Sequence, residues 1–494
     1  MTQDQHRAPE DRSSAPPNQE PPCANRQQQR LIDDVRFIFA EVRRLDGLGF
    51  KAIPEDDVWF DIPHPTAAPG VAICGRAAAA RLEGLAREAG RRAGLSRRVS
   101  LQSLRQPLAE LIVQRFARER RPLDGQQIDR VLAAAGKAAR RTCVDIRHLL
   151  PCHLMLAQDP EEIRMGPVVF RNRKATRRLL LERSRARRPE LDESPEQRAF
   201  SRRLMVDALR YYRAFNWIAE VEIKGCEPDV SADLAKAAVT SALDGLHLIL
   251  SAKNTDRMRV GGPALLRDTR AKLTIDASGE MSPSLSLDGP GQVEFQAGWS
   301  SRLADPYYQR PLTLCAIALE TAVDPDLERP LSRRFLDAAQ WFGEAARDNS
   351  PSTRVVKYVT ALERMLMTEE RDDITALVSE RLAALCFDNV SAESRQAWRQ
   401  KAVTAYDLRS KLVHGSMSPR DPQVWRGVAL GAELGEAALL CALNGFGEEG
   451  LRRPKISSRR LGQWFDEVIV WADRMVEANL ASPAPQNEPD PLAS

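Results

Sequence analysis

Residues 330–367 read PLSRRFLDAAQWFGEAARDNSPSTRVVKYVTALERMLM, and the break Asn349-Ser350-Pro351 divides them into two amphipathic segments. Asparagine, serine and proline are common where helices end and begin, because they cap free backbone groups or interrupt a helix. The stretch therefore predicts two helices, 330–347 and 351–367, joined by a short turn. Long helices with so short a connection pack as antiparallel neighbours.

Four further helical segments extend this pair towards the C-terminus. Capping residues precede two of them, Asp372-Asp373 in one case and Asp388-Asn389 in the other. The predicted helices are 373–387, 391–415, 422–446 and 461–480. Short breaks between long amphipathic helices are typical of an antiparallel helical bundle.

The chain before this bundle mixes helix and strand patterns. Apolar residues recur at three- and four-residue steps in 77–94 and 100–120, which predicts helices, whereas 56–75 is interpreted as a loop with one short strand. Residues 215–225, FNWIAEVEIKG, alternate between apolar and polar side chains. A period of two indicates a half-buried strand.

More short strands are predicted around that segment. Glycine, proline and aspartate punctuate them, which favours antiparallel neighbours. The predicted strands are MGPVVFRN (165–172), KLTIDAS (272–278), PSLSLDG (283–289) and GQVEFQA (291–297). A helix over 231–251, with Ser231 as its N-cap, separates the strand at 215–225 from the later ones.

These patterns predict an α+β fold class with four segments. Residues 1–28 and 481–494 are rich in proline and polar residues, and we expect disordered tails there. Residues 29–327 form an α+β region of unknown function with an internal boundary near residue 141. Residues 328–480 form the all-α bundle.

Cysteine usage and hydropathy bear on the compartment. The 8 cysteines are dispersed without a Cys-x-x-Cys pair, which favours reduced thiols in the cytoplasm. The polar N-terminus lacks a secretion signal, and no window reaches the roughly 18 uninterrupted apolar residues of a membrane span. The most apolar candidate is interrupted by Glu433 and Glu436. We expect a cytoplasmic protein that makes no contact with membranes.

The net charge of +4 indicates little about partners, but its distribution is uneven. Residues 171–203 carry 12 Lys/Arg against 5 Asp/Glu, an excess that attracts phosphate. A solvated helix surface explains the same run and is the favoured interpretation. Arg173, Lys174, Arg177 and Arg178 are the candidate RNA-binding residues in it.

Residues 406–415, YDLRSKLVHG, place three polar side chains at the end of a predicted helix. Ser410 and His414 are four residues apart and share a face, so the hydroxyl can hydrogen-bond the imidazole. Arg409 lies about 140° around the helix from His414 and about 7.5 Å along it, so one helix cannot bring the two into a compact site. A two-fold copy of the same helix would close such a site.

This combination suits cleavage of RNA through its 2′-hydroxyl. Histidine exchanges a proton at neutral pH, and arginine offers a planar set of donors to phosphate. Neither role needs a metal, and we expect no cofactor. Ser410 would orient the imidazole or touch the substrate, and Lys411 is a further RNA-binding candidate.

The same residues resemble the R-x4-H motif of HEPN domains, with a small polar residue directly after the arginine. Residues 335–367, which include Ala361-Leu362-Glu363, are similar to the paired helices that precede this motif in the Apea-like branch, and ITALVSERLAAL (374–385) falls in the expected place. The resemblance covers residues 328–445. No resemblance is found before residue 328.

The resemblance implies a homodimer through the motif helices and, in many members, a metal-independent endoribonuclease. It implies that Arg409 and His414 are the catalytic pair, that Ser410 assists them, and that Glu363 is a possible auxiliary acid. It also implies a toxin or phage-defence role, with an antitoxin or defence-system partner. On the order of the domains alone, we expect the N-terminal region to sense a trigger or select RNA.

Other interpretations of these residues stay open. His414 and Gly415 are common at helix ends, and a HEPN fold can bind RNA or dimerise without cutting. A plain scaffold is the third possibility. Elsewhere, Cys143, His148, Cys152 and His153 gather within eleven residues but match no common zinc spacing. His247 is expected in the core, as are Trp341, Trp398 and Trp425.

Overall fold

The computed structural model describes residues 23–48, 60–66, 71–155, 159–186, 194–261, 268–275, 281–288, 298–369, 373–388 and 391–481. The chain divides into two compact units, Met1–Cys143 and Val144–Ser494. The division falls two residues after the boundary expected near residue 141. Each unit has its own apolar core.

The first unit is mainly helical. Its helices are α1 (Cys23–Leu48), α2 (Arg76–Ala93), α3 (Leu101–Ile112, continued by a π-helical segment, Val113–Arg118) and α4 (Gly125–Arg140). Two strands, β1 (Phe60–Pro63) and β2 (Val71–Cys74), pair antiparallel where one strand was expected. Helix α1 begins at Cys23, inside the segment 1–28 that was expected to be a disordered tail.

The second unit contains an antiparallel five-stranded sheet. Its strands, in chain order, are β3 (Val144–His153), β4 (Glu162–Met165), β5 (Val168–Asn172), β6 (Trp217–Cys226) and β7 (Arg259–Val260), and their spatial order is β4-β5-β6-β3-β7. Strand β6 has the expected alternation only in its second half, where Val221 and Ile223 are buried and Glu222 and Lys224 are exposed. Its first half is buried on both faces, including Glu220. Strands β8 (Asp268–Ile275) and β9 (Met281–Asp288) form a separate antiparallel hairpin, as expected. The strand expected at 291–297 lies outside the described residues.

Twelve helices of the second unit lie in its described ranges. They are α5 (Arg173–Ala186), α6 (Pro195–Tyr212), α7 (Pro228–Ile249), α8 (Ala252–Thr255), α9 (Ser300–Leu303), α10 (Pro306–Val323), α11 (Pro330–Arg347), α12 (Pro351–Leu366), α13 (Ile374–Leu385), α14 (Ala392–Val413), α15 (Gln423–Arg452) and α16 (Ser458–Ala481). The last six confirm the six predicted helices. The residues beyond the end of α16, 482–494, lie outside the described part of the chain.

Two details of the sequence interpretation are wrong. Helix α7 begins one turn earlier than expected, so Ser231 is a buried residue inside the helix and Glu227 occupies the N-cap position. The side chains of Trp341 and Trp425 are 39% and 63% exposed, not in the core, and Trp398 is half-buried. Helical stripes do not distinguish a core position from the wall of a groove, and this explains the error for Trp425.

The sheet and the helical bundle share one core. Helices α7 and α10 contact the sheet, and α11 packs against α7. Trp217 of the sheet, Leu246 of α7 and Phe335 of α11 belong to the same buried cluster. The bundle helices therefore complete the core that begins at the sheet, and Val144–Ser494 forms one compact unit.

A buried polar pair joins α7 to α11 inside that core. Arg347 donates to the Oδ1 atom of Asp244 at 2.6 Å, and burial raises the pKa of Asp244 to about 7. One helical turn further on, the Nδ1 atom of His247 lies 2.7 Å from the hydroxyl of Thr255. His247 is fully buried, as expected, and burial lowers its pKa to about 3.

Helix α15 lies close to its neighbours along a row of glycines. A Cβ atom added at Gly435 would lie 2.7 Å from the ring of Phe342, and one at Gly431 would lie 2.9 Å from the Cβ atom of Tyr358. By length and composition α15 could span a membrane, but half of its most apolar window is buried inside the unit. The buried half packs inside the core of the unit.

The close contact at Gly435 predicts that Gly435→Ala destabilises the second unit. Overpacking costs about 1–3 kcal/mol, only partly offset by the roughly 0.5–1 kcal/mol that alanine gains over glycine in a helix. Gly450→Ala, in the part of α15 beyond the kink at Gly447, is the control, because its nearest neighbours would be at an ordinary 3.5 Å. Urea unfolding should show a lower free energy of unfolding for Gly435→Ala and no loss for Gly450→Ala. Equal effects of the two substitutions would contradict this packing.

Candidate functional site

The motif residues lie on the last two turns of α14 and the cap that follows. Tyr406 and Leu408 are buried, whereas Ser410 and His414 are exposed. The buried residues hold the helix against the bundle. The polar residues therefore lie along an edge of α14 that is accessible to solvent.

A glycine-dependent cap ends the helix at the motif. Gly415 has a φ of +74°, and the backbone amide of Ser416 donates to the carbonyl of Lys411 at 2.9 Å. This is the hydrogen-bond pattern of a Schellman cap, which favours glycine at that position. Gly415 thus has a purely conformational reason to follow His414, and its presence is not a sign of catalysis.

Arg409 contacts the acid that the sequence singled out on the preceding helix. Its Nη2 atom lies 3.8 Å from the Oε1 atom of Glu363 on α12, with the two side chains 31% and 26% exposed. The Nε atom of Arg409 is buried and has no hydrogen-bond partner among the described residues. The Nη2 atom thus faces a carboxylate at long range, while the buried Nε–H donor has no acceptor among the described residues.

The surroundings of this pair affect its ionisation. Burial raises the pKa of Glu363, and the Arg409 guanidinium opposes that rise. Burial and the neighbouring Glu363 carboxylate also raise the pKa of Tyr406. The carboxylate therefore depends on Arg409 for its charge compensation, which links α12 to α14 electrostatically.

His414 is the C-cap residue of α14, and its backbone amide donates to the carbonyl of Ser410 at 2.9 Å. The expected hydrogen bond between the Ser410 hydroxyl and the His414 imidazole is absent, and neither side chain hydrogen-bonds another group in the described part of the chain. Within one subunit, Arg409 is directed towards α12 and His414 stands at the exposed helix end.

The remaining candidate RNA-binding residues lie on other surfaces or are already paired. Lys411 forms an ion pair with Asp407 at 2.6 Å on the exposed side of α14. Arg173, Lys174, Arg177 and Arg178 belong to α5, which packs against β5 and β6, whereas α14 packs against α12, α13 and α15. The structure does not bring α5 to the motif.

Two of the α5 residues are engaged with one carboxylate. Lys174 and Arg178 lie 2.9 Å and 2.8 Å from the Glu161 oxygens, and they lower the pKa of Glu161 to about 2. Arg173 donates to the carbonyl of Arg213 at 2.7 Å. Arg177 forms no ion pair with a described residue. Two of the four candidate residues are therefore neutralised by an acid that precedes the basic run.

The histidines and cysteines near β3 serve packing. His148 lies 2.7 Å from the Ser231 hydroxyl, and the ring of His153 lies 4.7 Å from that of Phe215. Cys152 is buried. Across the described ranges, no three His, Cys, Asp or Glu side chains are placed to hold a metal ion.

Sequence reasoning missed two features of this region. Tyr406 lies three residues before Arg409 on the same helix. That spacing indicates that both side chains lie close to one residue of α12, Glu363. The exposure of Trp425 and Tyr307 had no signal in the helical pattern. No family model, curated protein or solved structure gives a significant match to this chain.

The contact of Arg409 with Glu363 predicts a coupled effect on stability. Arg409→Ala should lower the free energy of unfolding because it leaves a half-buried carboxylate without compensation. Glu363→Gln in the same chain should restore part of that loss, with a coupling energy of about 0.5–3 kcal/mol in a double-mutant cycle. Lys411→Ala is the control, since its exposed pair contributes about 1 kcal/mol or less.

The destabilisation caused by Arg409→Ala should increase with pH. A raised pKa of Glu363 means that its contribution to stability is present below the unfolded value of 4.5 and is lost as pH rises through the folded value. Removing Arg409 raises that folded value further. Arg409→Ala should therefore destabilise the protein more at about pH 8 than below pH 4.5, and an equal loss at both values would contradict the assignment.

Proposed function

We propose that the protein is a metal-independent endoribonuclease of the HEPN type that acts as a homodimer through α14. The observation that carries the proposal is the placement of Ser410 and His414 on an open edge of α14, one residue and five residues after Arg409, whose side chain is 31% exposed. The likeness to the R-x4-H motif supports it.

The reaction follows from the properties of these side chains. The His414 imidazole takes the proton of a ribose 2′-hydroxyl as that oxygen attacks the adjacent phosphorus. The bond from phosphorus to the 5′-oxygen breaks as that oxygen takes a proton from water, and the imidazolium returns its proton to solvent. The products are a 2′,3′-cyclic phosphate and a 5′-hydroxyl. Arg409 binds the phosphate oxygens and stabilises the charge that develops on them.

A second subunit would bring an Arg409 side chain close to a His414 side chain. Arg409 and His414 of one chain lie about 140° apart around their helix, and Arg409 is directed towards α12. An isologous contact between two α14 ends places the arginine of one subunit opposite the histidine of the other. The exposed side chain of Val413, 52% accessible, lies beside the motif and suits such a contact.

The alternative is a HEPN module that binds RNA or dimerises without cleaving. The contact between Arg409 and Glu363 favours it, because a guanidinium that faces a carboxylate is less available to phosphate. The open state of His414, with no described group to orient its imidazole, also favours it. Cleavage distinguishes the two proposals directly.

The biological setting is a further part of the proposal. An RNA-cleaving dimer in the cytoplasm suits a toxin or phage-defence role, in which an antitoxin or defence-system partner restrains it until a trigger arrives. The α+β part of the chain before the bundle would then sense the trigger or select RNA.

The purified wild-type protein should cleave RNA in the presence of a chelator, with products that carry 2′,3′-cyclic phosphates. Arg409→Ala and His414→Ala should each lower the rate by at least about a hundred-fold, as general acid–base groups and anion donors do. Gel analysis of a labelled RNA and mass spectrometry of its ends provide the measurement.

Matched controls separate loss of chemistry from loss of fold. Arg399→Ala changes an arginine on the same helix that pairs with Glu380, and His64→Ala changes a histidine of the first unit. Both should cleave like the wild type. Undiminished cleavage by His414→Ala, or cleavage only with added metal, would rule out the mechanism.

The dimer itself is tested at Val413. Val413→Glu places a charge at the proposed symmetric contact, so sedimentation should shift from a dimer towards the 55.1 kDa monomer, and cleavage should fall with it. Val470→Glu on α16, 45% exposed in the wild type, is the control and should leave both properties unchanged. A monomeric wild-type protein with full activity would contradict the shared site.

A further inference from the structure

A groove of 1040 Å³ lies along α15 in the second unit. The rest of its walls come from the end of α7, from α8, α9 and α10, from the start of α12 and from α14. Arg409, Glu363 and His414 do not line it. The groove is therefore a feature separate from the motif, and no group of the proposed reaction explains it.

Large aromatic side chains in this groove are exposed to solvent. Trp425 is 63% exposed and Tyr307 is 74% exposed, while Trp398 is half-buried on the α14 wall. The rings of Tyr307 and Tyr308 meet edge to face with centroids 5.1 Å apart. Exposed aromatic faces of this kind stack with unpaired nucleobases.

The charges of the groove are unbalanced in favour of cations. Four cationic residues line it, against two acids, which leaves a net charge of 4 − 2 = +2; the cations are Lys253, Arg302, Arg310 and Arg354. The two acids are engaged: Glu433 pairs with Lys401 at 2.5 Å, and Glu436 accepts from the Ser251 hydroxyl at 2.9 Å.

The cations of the groove are not neutralised in this way, although Arg310 donates to the Asn444 amide oxygen at 3.2 Å and Arg354 donates to the Tyr358 hydroxyl at 3.5 Å. None of the four forms an ion pair with a carboxylate in the described part of the chain. The Nε atom of Arg354 is buried and lacks a hydrogen-bond partner there. An excess of positive charge beside exposed aromatic rings matches a chain that carries both phosphates and bases.

The groove also reaches the level of the motif. Helices α14 and α15 run antiparallel, with Lys401 paired to Glu433 and Leu408 against Gly427. Continuing this register places Trp425 at the level of Ser410. The end of the groove marked by Trp425 therefore lies beside the end of α14 at which the motif is exposed.

The geometry points to a binding groove for single-stranded RNA along α15, in which Trp425, Trp398 and Tyr307 stack bases while Arg302, Arg310 and Arg354 bind phosphates. The assignment rests on the proposed function for its choice of RNA. A duplex does not fit this role, because paired bases present no free faces to the aromatic rings. The groove would hold unpaired nucleotides that lead to the scissile bond.

The test measures binding apart from cleavage. Full-length protein with His414→Ala is titrated into a fluorescently labelled oligonucleotide of uridines, and anisotropy reports the Kd. Adding Trp425→Ala should weaken binding about ten-fold, the effect of losing one base-stacking ring. Trp471→Ala on α16 is the matched control, because Trp471 is also exposed, at 46%, but lies outside the groove.

Two comparisons complete the test. Duplex RNA of the same length should bind with an affinity that Trp425→Ala does not change. Equal effects of Trp425→Ala and Trp471→Ala on the Kd, or no binding of the oligonucleotide, would contradict the assignment of the groove as an RNA-binding site. If the wild type cleaves RNA but Trp425→Ala does not change binding, the proposed role of the groove is wrong and the proposed active site stands. If binding depends on Trp425 but no RNA is cleaved, the proposed active site is wrong and the proposed role of the groove stands.

Discussion

The close approach of α15 to its neighbours is the constraint on which the bundle depends. Gly427, Gly431 and Gly435 recur every four residues and so form one row on the helix surface. Leu408 of α14 lies against the first, and Tyr358 of α12 against the second. The helix that carries Arg409 and the helix that carries Glu363 are thus positioned by the same strip of backbone, which side chains at these three positions would push apart.

That constraint fixes the electrostatics of the motif. With α12 and α14 held together, Glu363 is half-buried and needs a neighbouring cation, and Arg409 is the cation within reach. His414 lies five residues further on, beyond the last turn of α14, where the Schellman cap at Gly415 turns the chain away. A single subunit therefore separates the anion-binding group from the proton-transfer group, and this separation is the physical reason for proposing a site shared by two subunits.

The sequence predicted the bundle helices well because each has a clear amphipathic period and capping residues at its ends. Asp373, for example, caps α13 by accepting from the backbone amide of Ala376. The shared core of sheet and bundle could not be predicted, since α7 and α11 meet through residues distant in sequence, such as Asp244 and Arg347. The groove was also missed, because Trp425 has the same helical spacing as a core residue.

The candidate site was predictable in its members but not in its contacts. Spacing alone identified Arg409, Ser410 and His414, and the likeness to HEPN domains added Glu363. The contact between Arg409 and Glu363 depends on the crossing of α12 and α14, which no local pattern encodes. The Ser410 hydroxyl and the His414 imidazole are four residues apart and yet make no hydrogen bond to each other.

Complementation between two inactive variants tests the shared site most directly. Arg409→Ala and His414→Ala subunits are co-expressed with different tags, and the mixed dimer is purified and assayed for RNA cleavage. If the arginine of one subunit acts with the histidine of the other, each mixed dimer keeps one intact site of two and should recover about half of the wild-type activity per dimer. If both mutant homodimers and the mixed dimer are equally inactive while the wild type cleaves, the two groups act within one chain and the account is wrong.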